Sequence, residues 1–308
     1  MPLHIPTPLI ESAPLSRAAG CAVRLKLEAL QPPGSFKIRG IGAACERYAQ
    51  EGAKRFVSSS GGNAGLAVAY AGRHLGIPVT VVVPQTTSER AKDLLQREGA
   101  QVIVHGASWQ EAHALARSML QDSDAFLHPF DNPLLWTGHA TMIDEVAAGG
   151  HKPDAVLLSV GGGGLLAGVM EGLARNGWGD VPVLAVETHG AASLHAAMQA
   201  GHPTALDAVT SIATSLGARQ VCARAFELSQ SGKVHSVLVS DQQAVAACSR
   251  FLDDHRLLVE PACGAALAVA YDRPEALAAF QNILIIVCGG ATATADNLRQ
   301  WNATLANC

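Results

Sequence analysis

One local pattern occurs three times in this chain and restricts its fold more than any other feature. An apolar run typical of a buried strand is followed by a glycine-containing turn and then by a helix of small residues. The three segments span residues 56–65, 157–165 and 285–294. Apolar strands that alternate with helices are typical of parallel sheets covered by helices on both faces, so we predict an α/β protein. In such sheets the turns lie at the carboxyl ends of the strands, where ligands bind.

The rest of the chain continues the same alternation. Further strands are predicted at residues 23–27, 79–83, 101–104 and 183–186, and the predicted helices span residues 38–49, 64–74, 88–97, 108–120, 165–175, 191–200, 241–254 and 261–271. A length of 308 residues corresponds to about two domains. We therefore expect two open parallel sheets with a cleft between them, and the chain would cross between them at residues 32–34.

Charge and composition exclude several classes of protein. The net charge is −4, and no basic stripe marks a nucleic-acid surface. No apolar stretch reaches the roughly 20 residues that span a bilayer, and the first residues lack the pattern of a secretory signal. Seven cysteines, an odd number, are scattered without a C-x-x-C pair. We expect reduced thiols in a cytoplasmic protein that binds neither nucleic acid nor membrane.

Four consecutive glycines, Gly161 to Gly164, lie where a strand gives way to a helix. A helix N-terminus carries unpaired N–H groups and partial positive charge, and glycine lets an anion approach the backbone closely. These residues therefore predict a phosphate site. An alternative stays open on this pattern alone, because Gly162, Gly164 and Ala167 also match a dinucleotide fingerprint. With Glu187 on the ribose, the 161–167 turn would then belong to a nicotinamide-dependent dehydrogenase.

Lys37 lies in a rigid Pro/Gly/aromatic segment, directly after Phe36 and just where a helix is predicted to start. Ser35 is the predicted cap of that helix. A neighbouring cation, Arg39, or an apolar wall would lower the pKa of the lysine and favour the neutral amine that imine formation needs. A rigid lysine together with a phosphate loop indicates pyridoxal 5'-phosphate (PLP), whose aldehyde forms a Schiff base with lysine.

At these residues the chain resembles the L-serine dehydratase (L-serine ammonia-lyase) and L-threonine dehydratase family. These are fold-type-II PLP enzymes of the tryptophan synthase β superfamily. The matching segments occur in the family's order at residues 34–40, 58–65, 159–166, 260–266 and 286–290. The resemblance implies a large PLP-binding domain of residues 1–34 and 134–308 and a small domain of residues 35–133, with PLP in the cleft. It also implies a homodimer.

The resemblance assigns roles to individual residues. Lys37 would be the Schiff-base lysine and would then remove the Cα proton, and Phe36 would pack against the cofactor ring. Asn63 would hydrogen-bond the ring hydroxyl, and Cys288 would face the pyridine nitrogen as a neutral thiol. The cofactor phosphate would be held by Gly161, Gly162, Gly163, Gly164 and Leu165. The substrate carboxylate would be held by Ser60, Gly61, Asn63 and Ala64. A monovalent cation such as K+ would be held by Gly161, Glu187, Ala191, Leu216 and Ala218.

The implied reaction is the α,β-elimination of L-serine to pyruvate and ammonia, with L-threonine to 2-oxobutyrate as a secondary activity. PLP-dependent β-replacement, as in cysteine synthase, is the alternative within the superfamily. A protein that binds the cofactor without turnover is a further alternative. The chain departs from some relatives at Gly61, where others have alanine, and this puts turnover rate and substrate preference in question. The chain also ends soon after its last predicted strand, so we expect no regulatory C-terminal domain.

Overall fold

The computed structural model describes residues 2–306, and its strands form two separate sheets. Within that range the strands are β1 (Leu9–Glu11), β2 (Ala22–Lys26), β3 (Arg55–Ser58), β4 (Val79–Val83), β5 (Gln101–Val104), β6 (Asp124–Leu127), β7 (Ala155–Ser159), β8 (Val183–Thr188), β9 (Val234–Val239) and β10 (Asn282–Ile286). The larger sheet has the order β1-β2-β10-β7-β8-β9, and the smaller has the order β5-β4-β3-β6.

Helices follow nearly every strand in the described range. They are α1 (Ala13–Ala19), α2 (Lys37–Gln50), α3 (Asn63–Leu75), α4 (Glu89–Arg97), α5 (Trp109–Ser118), α6 (Pro133–Ala148), α7 (Gly164–Arg175), α8 (Ser193–Ala200), α9 (Ala223–Ser229), α10 (Asp241–His255), α11 (Pro261–Asp272) and α12 (Ala295–Ala306). All strand pairs are parallel except β1 with β2. The prediction of an α/β fold with two parallel sheets is confirmed, although the larger sheet carries an antiparallel edge strand.

The two sheets have separate apolar cores. The core of the larger sheet is built from β2, β7, β8 and β10 with α7, α10 and α11, and α11 is buried at every residue from Pro261 to Tyr271. The core of the smaller sheet is built from β3 and β4 with α2 and α3. Small residues on α3 and α11 let these helices pack close to the strands.

Several predicted elements differ from the structure. The predicted helix 191–200 is a short 3-10 turn, His189–Ala191, followed by α8. The sequence interpretation missed β1, α1, β6, α6, α9, β9 and α12. β1 is short, β6 alternates in burial and the middle of β9 is partly exposed, so the apolar signal of these strands is weak. The domain boundaries at residues 34 and 133 stay a prediction, and all four strands of the smaller sheet lie between them.

Two features are absent from residues 2–306: a helix that could span a membrane and a disulfide bond. No helix there is long and apolar enough to cross a bilayer. No disulfide forms among Cys21, Cys45, Cys222, Cys248, Cys263 and Cys288, which are all free thiols. Cys308, which was also predicted to be a reduced thiol, lies outside the described residues.

Candidate active site

Lys37 is the first residue of α2, and protein atoms surround its amine although part of the side chain remains accessible. Its Nζ donates a hydrogen bond to the carbonyl of Pro129 at 2.6 Å and lies 5.1 Å from the centre of the Phe36 ring. Burial lowers the pKa of Lys37 to about 8. A larger share of the amine is therefore neutral near neutral pH than for an exposed lysine.

The expectation that Arg39 lowers this pKa is wrong, because Arg39 points into a separate buried ion cluster. Its guanidinium is fully buried and pairs with Glu28 at 2.7 Å and with Glu145 at 2.7 Å. The charge of Arg39 is thus neutralised by its own partners and does not contribute to the shift on Lys37. Burial in apolar surroundings, the other predicted cause, is therefore what lowers the pKa of Lys37.

The segment before Lys37 is joined to the end of the larger sheet. The Phe36 N–H donates to the Cys288 carbonyl at 2.9 Å, and Ser35 forms a β-bridge with Gly289. The prediction that Ser35 caps α2 is wrong, since Phe36 occupies the cap position without a side-chain bond. The Ser35 hydroxyl is instead buried without a hydrogen-bond partner. These bonds bring Lys37, Phe36 and Cys288 together.

Cys288 lies just beyond β10 and is 6% exposed. A hydrogen bond with the Cys263 thiol and burial raise the pKa of Cys288 well above its ordinary value. The side chain is therefore a neutral thiol at physiological pH, as the sequence interpretation expected.

The glycine loop connects β7 to α7, and its backbone supplies unused hydrogen-bond donors. Gly163 occupies the cap position of α7 in the left-handed region at φ +91°, which favours glycine. Within the part of the chain that the structure describes, no acceptor takes the N–H groups of residues 161–165. A row of free N–H groups at a helix N-terminus fits a phosphate, so the loop is compatible with the phosphate of PLP.

Protein atoms pack tightly around this loop and explain why it contains no larger residue. A Cβ on Gly162 would overlap the ring of Phe130, and one on Gly163 would overlap Ala225. A Cβ on Gly161 would lie 3.0 Å from Leu216 Cα. The loop is therefore held between the segment after β6, the 3-10 turn that ends at Leu216, and α9 itself.

The second helix N-terminus belongs to the smaller sheet, where β3 leads through residues 59–62 into α3. Ser60, Gly61 and Gly62 are partly exposed, whereas Asn63 and Ala64 are buried. The N–H groups of Gly61, Asn63 and Ala64 have no acceptor among residues 2–306, which suits a carboxylate. Asn63 is 8% exposed and donates from Nδ2 to Glu260 at 2.6 Å, while its Oδ1 has no partner in the described part of the chain.

The predicted cation ligands lie on neighbouring segments beside the glycine loop. Glu187 is fully buried. Its carboxylate accepts the N–H groups of Leu194 and His195, both at 2.8 Å, and burial raises its pKa to about 7. Leu216 lies against Gly161, and the Leu216 carbonyl accepts the Ala218 N–H at 2.8 Å. Ala191 ends the 3-10 turn that follows Glu187.

The position of Glu187 also bears on the dehydrogenase alternative. That alternative needs a free acidic side chain at the end of β8 to bind a ribose. Both oxygens of Glu187 already accept backbone N–H groups at the start of α8. The Glu187 side chain is also fully buried and points to the start of α8 instead of an open nucleotide site, so this alternative is not favoured.

Four further residues near the site were given no functional role by the sequence interpretation. Glu260 accepts a hydrogen bond from the Asn63 side-chain amide, and the Pro129 carbonyl accepts one from the Lys37 amine. His128 accepts two backbone N–H groups at Nδ1, and burial lowers its pKa to about 4. His139 is buried against the Phe36 ring at 4.8 Å and accepts the Gly40 N–H. Only Glu260 offered a signal, since it precedes a proline at a predicted helix start.

A family comparison identifies the class of protein that this fold and site define. The model of the family "Pyridoxal-phosphate dependent enzyme" matches residues 1–289. The chain therefore belongs to this family of PLP-dependent enzymes, and the free donors of the glycine loop and the buried amine of Lys37 fit that cofactor.

Individual relatives narrow the comparison. The human L-serine dehydratase/L-threonine deaminase is 47% identical over 309 residues, an alignment that covers 97% of this chain and 94% of that protein. A human serine dehydratase-like protein is 50% identical, with 94% and 91% covered. Among solved structures, the L-serine ammonia-lyase of the fungus Rhizomucor miehei superposes with a TM-score of 0.93 at 36% identity, covering 98% of this chain and 99% of that one.

Proposed function

We propose that this chain deaminates L-serine to pyruvate and ammonia by PLP-dependent α,β-elimination and converts L-threonine to 2-oxobutyrate more slowly. The observation that carries the proposal is one connected set of contacts. Phe36 and Lys37 join Cys288 and Pro129, and the Pro129–Phe130 segment packs on the glycine loop. Similarity to the human and fungal enzymes supports the same reaction. The water lost in elimination is regained when ammonia leaves, so the overall reaction balances.

Lys37 would hold the cofactor covalently and afterwards act as the base at Cα. The cofactor, when bound, supplies an electron sink for the bond that breaks at Cα. An amine with a pKa of about 8 can exist neutral near neutral pH, so it can accept that proton. The Pro129 carbonyl, 2.6 Å from Nζ, would hold the amine in place once the lysine carries its proton.

Each of the two helix N-termini would bind one anionic group. The free N–H groups of Gly161, Gly162, Gly163, Gly164 and Leu165 would bind the cofactor phosphate. The start of α3, with Ser60, Gly61, Asn63 and Ala64, would bind the substrate carboxylate. Asn63 would also contact the ring hydroxyl, and Phe36 would pack on the ring.

Two further groups would tune the site. Cys288, a neutral thiol, would face the ring nitrogen without adding charge to it. A monovalent cation such as K+ would lie beside the glycine loop, held by Glu187 and by backbone carbonyls of Gly161, Ala191, Leu216 and Ala218. The buried carboxyl of Glu187 supports a cation there, because a positive charge would compensate its loss of solvent.

We also propose the large domain of residues 1–34 and 134–308 and the small domain of residues 35–133, a homodimer, and a cytoplasmic location. The division into two sheets supports the domains. Sedimentation of the purified holoenzyme at several concentrations tests the homodimer, and fractionation of the source cells tests the location.

Borohydride reduction followed by peptide mapping tests the central assignment. A pyridoxyl adduct on Lys37 is expected, and its absence there would overturn the proposal. A visible absorption band in the purified protein is a second expected sign, since apoprotein has none.

Replacing the lysine should have the most severe effect on turnover. Lys37→Ala is expected to abolish pyruvate release because it removes both the covalent attachment and the base. Circular dichroism and thermal melting should stay near wild type, since among residues 2–306 the only hydrogen bond of the amine is to the Pro129 carbonyl. Serine turnover that persists in this variant would refute the role of Lys37.

Product measurements separate elimination from β-replacement. Pyruvate release from serine should be the same with and without sulfide, whereas a cysteine synthase would divert the substrate to cysteine. An adduct on Lys37 without any pyruvate would instead favour the protein that binds the cofactor without turnover.

A further inference from the structure

Glu260 is a buried carboxylate to which none of the proposed roles above is attached. It lies at the cap position of α11, 5% exposed, yet it makes no capping bond to that helix. Its oxygens face other elements instead. Oε1 accepts Asn63 Nδ2 at 2.6 Å, and Oε2 accepts the Thr292 hydroxyl at 3.2 Å. The Ser215 side chain is a further hydrogen-bond partner.

These contacts join the two sheets. Asn63 begins α3, which follows β3 of the smaller sheet, whereas Glu260 precedes α11, which packs in the core of the larger sheet. Thr292 follows β10, and Ser215 adjoins Leu216 beside the glycine loop. The Glu260–Asn63 hydrogen bond therefore crosses the cleft between the sheets.

The Glu260–Asn63 hydrogen bond fixes the orientation of the Asn63 side-chain amide. An ionised carboxylate only accepts hydrogen bonds, so it fixes Nδ2 toward Glu260 and Oδ1 away from it. Oδ1 is buried and has no partner among residues 2–306. Leaving a buried hydrogen-bond acceptor unpaired costs free energy. The unpaired Oδ1 therefore indicates that a group of the bound cofactor or substrate donates a hydrogen bond to it.

The groups around Glu260 oppose the effect of burial on its carboxyl. Burial raises the pKa of Glu260, but the hydrogen bonds from Asn63, Ser215 and Thr292 and the amine of Lys37 oppose that rise. Bonds to an ionised acceptor are also shorter and stronger than neutral ones, in line with the 2.6 Å to Asn63.

We infer that Glu260 is a positioning residue that holds the Asn63 amide across the cleft, with a fixed edge toward the cofactor ring. The inference rests on the proposed function, in which Asn63 contacts the ring hydroxyl. Glu260→Gln keeps the shape but removes the constraint, because a glutamine amide can donate to Asn63 Oδ1 as well as accept from Nδ2. The amide of Asn63 would then adopt both orientations.

The test compares holoenzymes of the wild type, Glu260→Gln and Thr292→Val by visible absorption without substrate and by PLP release during dilution. Losing one charge-assisted bond corresponds to roughly tenfold, so PLP release from Glu260→Gln should be about tenfold faster, with an altered absorption band. Thr292→Val removes a bond to Oε2 but leaves Asn63 in place, so its band and release rate should match wild type.

Three outcomes would overturn the inference. One is a Glu260→Gln holoenzyme with the wild-type band and release rate but a lowered melting temperature, which would make Glu260 purely structural. Another is a Thr292→Val enzyme changed as strongly as Glu260→Gln. If Glu260→Gln does not fold, Glu260→Asp serves as the second variant, because it keeps the charge but withdraws it from Asn63. A Glu260→Asp enzyme with wild-type PLP release would then be the third. The absence of any band in the wild type would instead refute the proposed function.

Discussion

The glycine loop at residues 161–164 and the serine/glycine loop at residues 60–63 begin from the same plan and differ in how the protein surrounds them. Each follows a parallel strand, precedes a helix and presents N–H groups without acceptors among the described residues. A Cβ on Gly162 would overlap Phe130, whereas a Cβ on Gly62 would meet nothing within 4 Å. The 161–164 loop is enclosed by protein, whereas the 60–63 loop is open at Gly62 and has neighbours on the Gly61 side only among the described residues.

The difference matches the two anions proposed for these loops. A cofactor phosphate stays bound through many turnovers, so a rigid cradle fixed by Phe130, Leu216 and Ala225 suits it. A substrate carboxylate must enter and leave in each cycle, so an open loop suits it better. Two helix N-termini with the same electrostatics can therefore differ in exchange rate because of packing alone.

The largest expected effect comes from adding one methyl group to the enclosed loop. Gly162→Ala should weaken PLP retention by about 10- to 100-fold, since overpacking costs about 1–3 kcal/mol and the ring of Phe130 cannot yield freely. Gly62→Ala is the matched control, and it should retain PLP and change mainly the KM for serine. Fluorescence-monitored release of PLP measures the first effect, and steady-state kinetics the second.

The contrast between the loops would fail if Gly162→Ala and Gly62→Ala released PLP equally fast. Phe130→Leu in the Gly162→Ala background offers a further check. A smaller side chain at position 130 should restore part of the PLP retention if the overlap is the cause.

A smaller effect concerns the cation proposed beside the enclosed loop. Burial raises the pKa of Glu187 to about 7 from an ordinary 4.5, so without a cation its stabilising contribution is complete below about pH 4.5. That contribution is lost as the pH rises through about 7. A bound cation favours the ionised form, so K+ should raise the melting temperature more at about pH 8 than at about pH 5.5.

Tetramethylammonium chloride at equal ionic strength is the control, since that ion is too large for such a site. In Glu187→Gln the stabilisation by K+ should lose its dependence on pH. An equal response to K+ at both pH values in the wild type would contradict a cation next to Glu187.

Local sequence patterns were sufficient for the strands and helices that carry these loops. The β-branched run at Val79–Val83 and the glycine turns were predicted where the structure has them. Contacts between distant residues were not accessible in the same way. Glu260 and Asn63 are 197 residues apart, and the ion cluster that removes Arg39 from Lys37 depends on Glu145 in α6, a helix that was missed. Such pairs depend on how the sheets pack, which local periodicity does not encode.

The smallest expected effect concerns Gly61, the position of the 60–63 loop that has protein atoms close to it. A Cβ on Gly61 would lie 2.7 Å from Thr87 Cγ2, 3.1 Å from its Oγ1 and 3.3 Å from Val83 Cγ1. Gly61→Ala should therefore lower kcat/KM for serine less than about tenfold, because Thr87 lies in a turn and can shift. Thr87→Ser removes the nearest atom, so the double variant should recover most of that loss.

A double-mutant cycle on kcat/KM for serine and for threonine measures this coupling. Strictly additive effects would show that Gly61 acts without Thr87. Positive coupling would show that the residue at position 87 decides whether alanine is tolerated at position 61. The open loop would then be shaped by a single contact from the turn between β4 and α4, whereas the enclosed loop is fixed on several sides.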